Sequence, residues 1–231
     1  TLSAEETVAE EVSPVQADEA PVQEPQAPAE DQDVSFKDMV LAVEQNKADD
    51  MVKAIKSEIA ERKRMEIDKD SFNENIQRTL KKVDETLARN YAARVLIAAS
   101  VTPSFLTSPS RDGEHYNVYA MGKLNDLVDA LAGLKLSNAI NRAIVRSMFK
   151  LRDANVTITR EILECAASDK IRVKDKGIET LLSRHTVGAS TAPTQTSSTL
   201  RALETLGIVK VTGSKQNCVV TILDTPQTRS L

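Results

Sequence analysis

"TAPTQTSSTLRALETLGIVKVTGSKQNCVVTI" occupies residues 191–222. It opens polar and rich in Ser and Thr, then places Leu200, Leu203 and Leu206 at helical spacing with Ala202 beside them. The pattern predicts a helix over Gln195–Leu206 that buries this leucine face and turns Ser197, Ser198, Arg201 and Thr205 outward. Gly207 stands where a helix stops. "IVKV" and "CVVTI" then read as two β-strands around a Gly-Ser-Lys-Gln-Asn turn, with Lys210 on the first strand and Lys215 at the tip.

Working outward, 231 residues suffice for one large domain or two small ones. Aromatic content of 3% with no Trp, beside 41% hydrophobic residues, calls for an aliphatic core. Cys165 and Cys218 form no disulfide framework and no Cys/His cluster has metal-ligand spacing, which suits a reducing, intracellular setting. The longest apolar stretch, "YAARVLIAAS", is about half a membrane span, and the N-terminus lacks the pattern of a secretory signal. The expectation is a cytoplasmic or virion protein with no membrane partner.

The net charge of −4 conceals a split. Residues 1–133 carry 15 Lys and Arg against 26 Asp and Glu, a net of −11; residues 134–231 carry 15 against 8, a net of +7. A basic C-terminal half suits a polyanionic partner or the chain's own acidic front.

Residues 1–34 contain ten acids, no basic residue and four of the eight prolines, the composition of a disordered arm that cannot offset its ordering entropy by burial. It is either a solubilising tail or an electrostatic mimic of nucleic acid. Residues 35–101 read as a helical assembly region. Ser35 caps a short helix through Phe36, Met39, Val40 and Val43, with Asp38 in a capping-box-like place. A second helix begins near Asp49, carries Val52, Ile55 and Ile59, and pairs Glu58 with Arg62 on its outer face. In a third, Ser71 is the cap and Phe72, Ile76, Leu80, Val83 and Leu87 make a narrow stripe that packs in its own bundle or serves as a partner-binding seam. "NYAARVLIAAS" continues as a buried helix.

Two prolines, a glycine and five Ser/Thr mark 102–115 as an ordered loop or a domain boundary. Residues 116–231 hold the rest. A helix buries Val118, Met121, Leu124, Leu127, Val128 and Leu131 and stops at Gly133. Three supporting helices follow, near Ser137–Leu151, Thr157–Ala167 and Lys176–His185. The first segregates Ile140, Ala143, Ile144 and Phe149 from Arg142, Arg146, Lys150 and Arg152. The fold expected is mainly α, with one short β-hairpin.

"STLRALETLGIVKV" resembles the winged-helix superfamily where a recognition helix runs through Leu-x-x-Leu-Gly into its wing. The resemblance covers Ser137–Thr221. It implies a helix-turn-helix DNA-binding domain with duplex DNA or another nucleic acid as partner. Its contact residues would be Ser197, Ser198, Arg201, Thr205, Lys210 and Lys215, with Arg142, Arg146, Lys150 and Arg184 behind them. Short hydroxyls reach phosphates or base edges, and Arg takes guanine bidentately. "TVGASTAPTQTSS" departs from the pattern as a long small-residue loop. It is either an element that orders on DNA or a sign that the helix docks on protein.

"FKDMVLAVEQNKADDMVKAIKSEIAERKRMEID" is similar to helical segments in prohead core and scaffold proteins of tailed bacteriophages. This implies a head-assembly or virion protein that touches packaged DNA, copies of itself or capsid proteins.

Catalytic devices have little to stand on. Neither a Gly-x-x-x-x-Gly-Lys-Ser/Thr loop nor a Gly-x-Gly-x-x-Gly turn is present. His115 sits in the Pro/Ser loop as a surface residue, and His185 follows "LLSR" without a nucleophile or carboxylate partner. Cys165 and Cys218 fall on apolar faces. The expectation is a non-enzymatic protein without cofactor or metal, either a nucleic-acid binder or a scaffolding protein whose winged helix is a protein-docking module.

Overall fold

A computed structural model describes residues 34–70, 73–109, 115–214 and 218–231. The acidic arm up to Asp33, Ser71, Phe72 and Lys215 lie outside the described residues. The chain is mainly α-helical, with ten α-helices and one two-stranded hairpin among the described residues.

Ser35 Oγ accepts from Asp38 N and caps α1 (Phe36–Ala42), whose Phe36 is fully buried. The second helix, α2 (Gln45–Lys69), starts four residues earlier than its apolar pattern suggests. Its inner stripe continues past Ile55 and Ile59 to Arg62. The pairing expected between Glu58 and Arg62 is therefore corrected. Arg62 turns inward to Glu66 at 2.7 Å and donates to Leu106 O at 2.8 Å, while Glu58 accepts from the Thr107 hydroxyl. Both choices were i,i+4 pairs; burial of Arg62 against the 102–109 segment decided between them.

Asn73 caps α3 (Glu74–Leu87) by accepting from Ile76 N. Leu80, Val83 and Leu87 are buried against α2 and against α5 (Val118–Leu131), so the narrow stripe packs within the chain's own bundle. A break at Ala88–Arg89 leads to α4 (Asn90–Ala98), buried through Ala92, Ala93, Val95 and Leu96. Pro103–Leu106 forms a 3₁₀ turn that seats Leu106 on α2. Residues Val34–Leu231 make one compact unit, with a single aliphatic core running from Phe36 to Val220.

All six apolar residues expected inside α5 are buried. Gly133 follows at φ 86°, and Leu134 N reaches back to Asp129 O, a helix stop that a side chain with a Cβ would strain. Next come α6 (Ala139–Asp153), α7 (Arg160–Ala167), α8 (Lys176–Leu181) and α9 (Ala192–Thr205). The hairpin pairs β1 (Val209–Thr212) with β2 (Val219–Ile222), Lys210 opposite Thr221. A final turn, α10 (Pro226–Ser230), packs on α1.

Three boundaries differ from the sequence pattern for identifiable reasons. Residues 157–159 lie outside the helix rather than opening it, because this segment pairs with the hairpin: Thr159 bridges Val219, Val220 N donates to Ile158 O at 2.9 Å, and Arg160 N, at the start of α7, donates to Cys218 O at 3.2 Å. The segment after Leu181 leaves the helix because Ser183 N bonds Ser147 Oγ and Thr186 bridges Ser168. The supposed small-residue loop is helical from Ala192 on, with Pro193 in the first turn, where its missing N–H costs nothing.

Candidate nucleic-acid interface

Helix α9 is the element on which the predicted contacts converge. Leu200, Ala202, Leu203 and Leu206 are all buried, as their spacing requires. The helix lies between α5 and α7, with α6 beneath. Its exposed face is reduced to a strip through Thr194, Ser197, Arg201, Glu204 and Thr205. Ser198 is not on it: at 3% exposure it belongs to the buried side, which corrects its assignment as an outward contact. Packing of α9 on α5, α6 and α7 narrows what is left exposed.

The strip's polar groups are already engaged. Ser197 Oγ donates to Pro193 O at 2.9 Å. Arg201 Nη1 lies 3.0 Å from Glu204 Oε2, and its guanidinium sits 5.5 Å from the centroid of the Tyr116 ring. Thr205 Oγ1 is 2.8 Å from Arg201 O and 3.1 Å from the Tyr116 hydroxyl. Burial of Tyr116 raises its hydroxyl above the ordinary tyrosine value, against a smaller lowering by the Thr205 contact and Arg201. Tyr116 in turn packs edge-on against Phe105, 5.1 Å between ring centroids. The outward end of α9 is thus tied to the segment preceding α5.

Underneath, a buried polar knot fixes α5, α6 and α9 to one another. Asp126 Oδ1 accepts from Ser137 N, Ser137 Oγ and Asn138 N at 2.6–2.9 Å, and its Oδ2 accepts from Asn141 Nδ2 at 2.9 Å. Asn141, fully buried, accepts from Thr199 Oγ1 at 2.8 Å and donates to Lys123 O at 3.1 Å. Lys123 Nζ donates to Asn138 Oδ1 at 3.0 Å, and Asn138 caps α6. Desolvation lowers the Lys123 ammonium from 10.5 to about 8, partly countered by the Asp126 charge. The N-terminus of α6 therefore receives a protein carboxylate where an external anion would otherwise bind.

The remaining predicted cations divide. Arg142 is half-buried and donates to Leu136 O at 3.0 Å. Arg184 is paired with Glu179 at 3.1 Å. Lys210 is exposed on the outer face of the hairpin. Arg146 and Lys150 are exposed on α6; Arg146 meets no ion-pair or hydrogen-bond partner among the described residues, and Lys150 meets only the Ser183 hydroxyl, at 3.2 Å. Beside them Arg152 is paired with Asp153 at 2.8 Å and lies over the Phe149 ring. The structure brings Arg142, Arg146 and Lys150 into one row and leaves Arg201 and Lys210 elsewhere.

Several residues that shape this region carried no usable sequence signal. Tyr116, Asp126 and Asn141 act through partners distant in sequence. Glu204 is different: it stands three residues after Arg201, an i,i+3 pair that is readable in the sequence.

Cys165 and Cys218 are buried thiols, raised above the ordinary thiol value chiefly by desolvation. His115 Nδ1 is 2.8 Å from Thr107 O on the surface, and His185 is half-buried. Among the described residues no group of three or more His, Cys, Asp or Glu has the arrangement of a metal site. Nor is any helix of the described residues long and apolar enough to cross a membrane. No protein-family model, no curated protein and no solved structure matches the chain.

Proposed function

We propose that this chain is a non-enzymatic nucleic-acid-binding protein whose C-terminal part is a winged-helix module embedded in a larger helical unit. The observation that carries this reading is the chain order α6, α7, α8, α9, β1, β2, in which the segment just before α7 bridges to the hairpin through Thr159 and Val219. This order falls in the half of the chain with a net charge of +7. A basic surface on such a scaffold gains counterion-release energy from phosphates.

A second reading is favoured by the engaged state of the α9 strip. With Arg201 and Thr205 tied to Glu204 and Tyr116, the module acts as a protein-docking element of a scaffold. The order of a short α1, a break and a long charged α2 supports a particle-assembly setting, as in a phage prohead. The two readings are separated by a mobility-shift titration of the full chain with duplex DNA over a salt series. Nucleic-acid binding predicts retarded complexes at low salt that dissociate steeply as salt rises. No complex at low salt leaves the docking reading.

A further inference from the structure

We infer that the polyanion-binding surface is the outer row of α6, Arg142–Arg146–Lys150, and that its partner is the phosphate backbone of duplex nucleic acid, bound without regard to sequence. This rests on the nucleic-acid reading above and moves the contact surface off α9.

Charge is the first argument. From Ala130 to Lys150 the sequence has four basic residues and no acid, and Arg152 beyond them is paired with Asp153. Arg146 has no partner among the described residues, and Lys150 has no carboxylate. On α9, by contrast, Glu204 neutralises the single Arg of the exposed strip. An approaching phosphate meets uncompensated charge only at the first of these helices.

Geometry is the second. Residues 142, 146 and 150 stand at i, i+4, i+8 and span about 12 Å of helix axis. Duplex DNA offers one negative charge per about 1.7 Å, or roughly seven over that length, a density that carboxylates on a protein surface do not reach. The row contains no Asn or Gln to read adenine, and Arg146 and Lys150, directed at phosphates rather than at guanine edges, position the duplex without specifying sequence. It also lacks a stacking platform for unpaired bases: Phe149 is half-buried, with the Arg152 guanidinium 4.7 Å from its ring centroid.

The test is fluorescence anisotropy of the full chain with two 20-bp duplexes of unrelated sequence at low salt, repeated with rising salt. The expected result is equal affinity for both duplexes. Arg146→Ser with Lys150→Ser should weaken binding by about tenfold or more and reduce the log–log salt slope by about 1.8, two phosphate contacts' worth. Arg146→Lys should bind like the wild type, since a phosphate accepts either charge. Arg201→Ala with Lys210→Ser should stay within about twofold. Melting curves that match wild type establish that the exposed substitutions leave the fold intact.

If the α9 and hairpin pair loses affinity while the α6 pair does not, the surface is wrong and the nucleic-acid reading stands. If wild type binds neither duplex at low salt, both fall. If polyglutamate of equal charge displaces the duplex as efficiently as unlabelled DNA, the partner is an acidic polymer, and the duplex assignment is overturned.

Discussion

Along α6 the outward row is half-buried Arg142 with exposed Arg146 and Lys150; along α9 it is Thr194, Ser197, Arg201, Glu204 and Thr205. Each row lies on a helix whose opposite face is aliphatic core. The α6 row has no carboxylate within it, whereas the α9 row includes its own counter-ion and lends its hydroxyls to nearby backbone and to Tyr116. The difference teaches that a helix's place in a topology does not give its chemistry. On the winged-helix reading proposed above α9 would be the recognition helix, yet most of its outward polar groups are engaged within the unit.

The sharpest way to break that comparison is to remove core from α9. Leu203→Ala should lower unfolding free energy by about 2–5 kcal/mol, measured by urea denaturation, because the site is fully enclosed and a cavity remains. Arg146→Ala on α6 should stay within about 0.5 kcal/mol in the same assay. Similar losses for the two would mean that α9 is not the buried member of the pair.

A smaller effect comes from the knot that joins both helices to α5. The folded-state value of Lys123 lies near 8, below its ordinary 10.5, so between these the unfolded chain holds more protons and stability rises with pH. Below about pH 8 the ammonium is charged in both states, and its burial cost is fully present. Wild type should therefore gain on the order of 1–2 kcal/mol over Lys123→Met between pH 8 and pH 10. The Cys165 and Cys218 thiols and the Tyr116 hydroxyl, all raised by burial, work the other way as pH rises, but both proteins share them and they cancel in the difference. A stability difference that stays flat across this window would show that the ammonium reaches solvent.

The smallest expected change has the opposite sign. Thr196 is fully buried on the inner side of α9, and its hydroxyl has no hydrogen-bond partner. Thr196→Val keeps the shape and removes an unsatisfied polar atom, so it should stabilise the fold by about 1 kcal/mol. A lower melting temperature for this variant would mean that the hydroxyl is satisfied, for example by an ordered water.

The helix registers that frame this comparison were legible because they depend on local periodicity. Leu200, Leu203 and Leu206, the six buried positions of α5, and the separation of Arg146 and Lys150 from Ile144 all follow from 3.6-residue spacing. Gly133 and Gly207 were legible as stops, and both have positive φ. What was not legible depends on partners remote in the chain. Residues 157–159 look like the start of α7 until the hairpin is in place to pair with Ile158 and Thr159. Ser198 looks outward until α9 is packed among its neighbouring helices. Arg62 has a Glu four residues away in either direction, and only Leu106 O, 44 positions along, selects the inner one. The early start of α9 was readable in principle, since Pro193 suits a first turn, but the small residues around it resemble a linker.

The contact between α1 and α10 has a consequence for how the unit assembles. The first and last helices of the described unit are neighbours, with Phe36 fully buried in the core at one end and Gln227 donating to Leu206 O at the other. Closing this contact demands the longest loop in the molecule, whose entropic cost grows only logarithmically but must be met before the contact returns anything. The α1–α10 contact should therefore be the last to form, a prediction that refolding kinetics can check. The unit can be cut elsewhere: linking residue 231 to residue 34 and opening the chain in the exposed turn Gly188–Ser190 leaves every helix pairing in place while reversing which of them forms last.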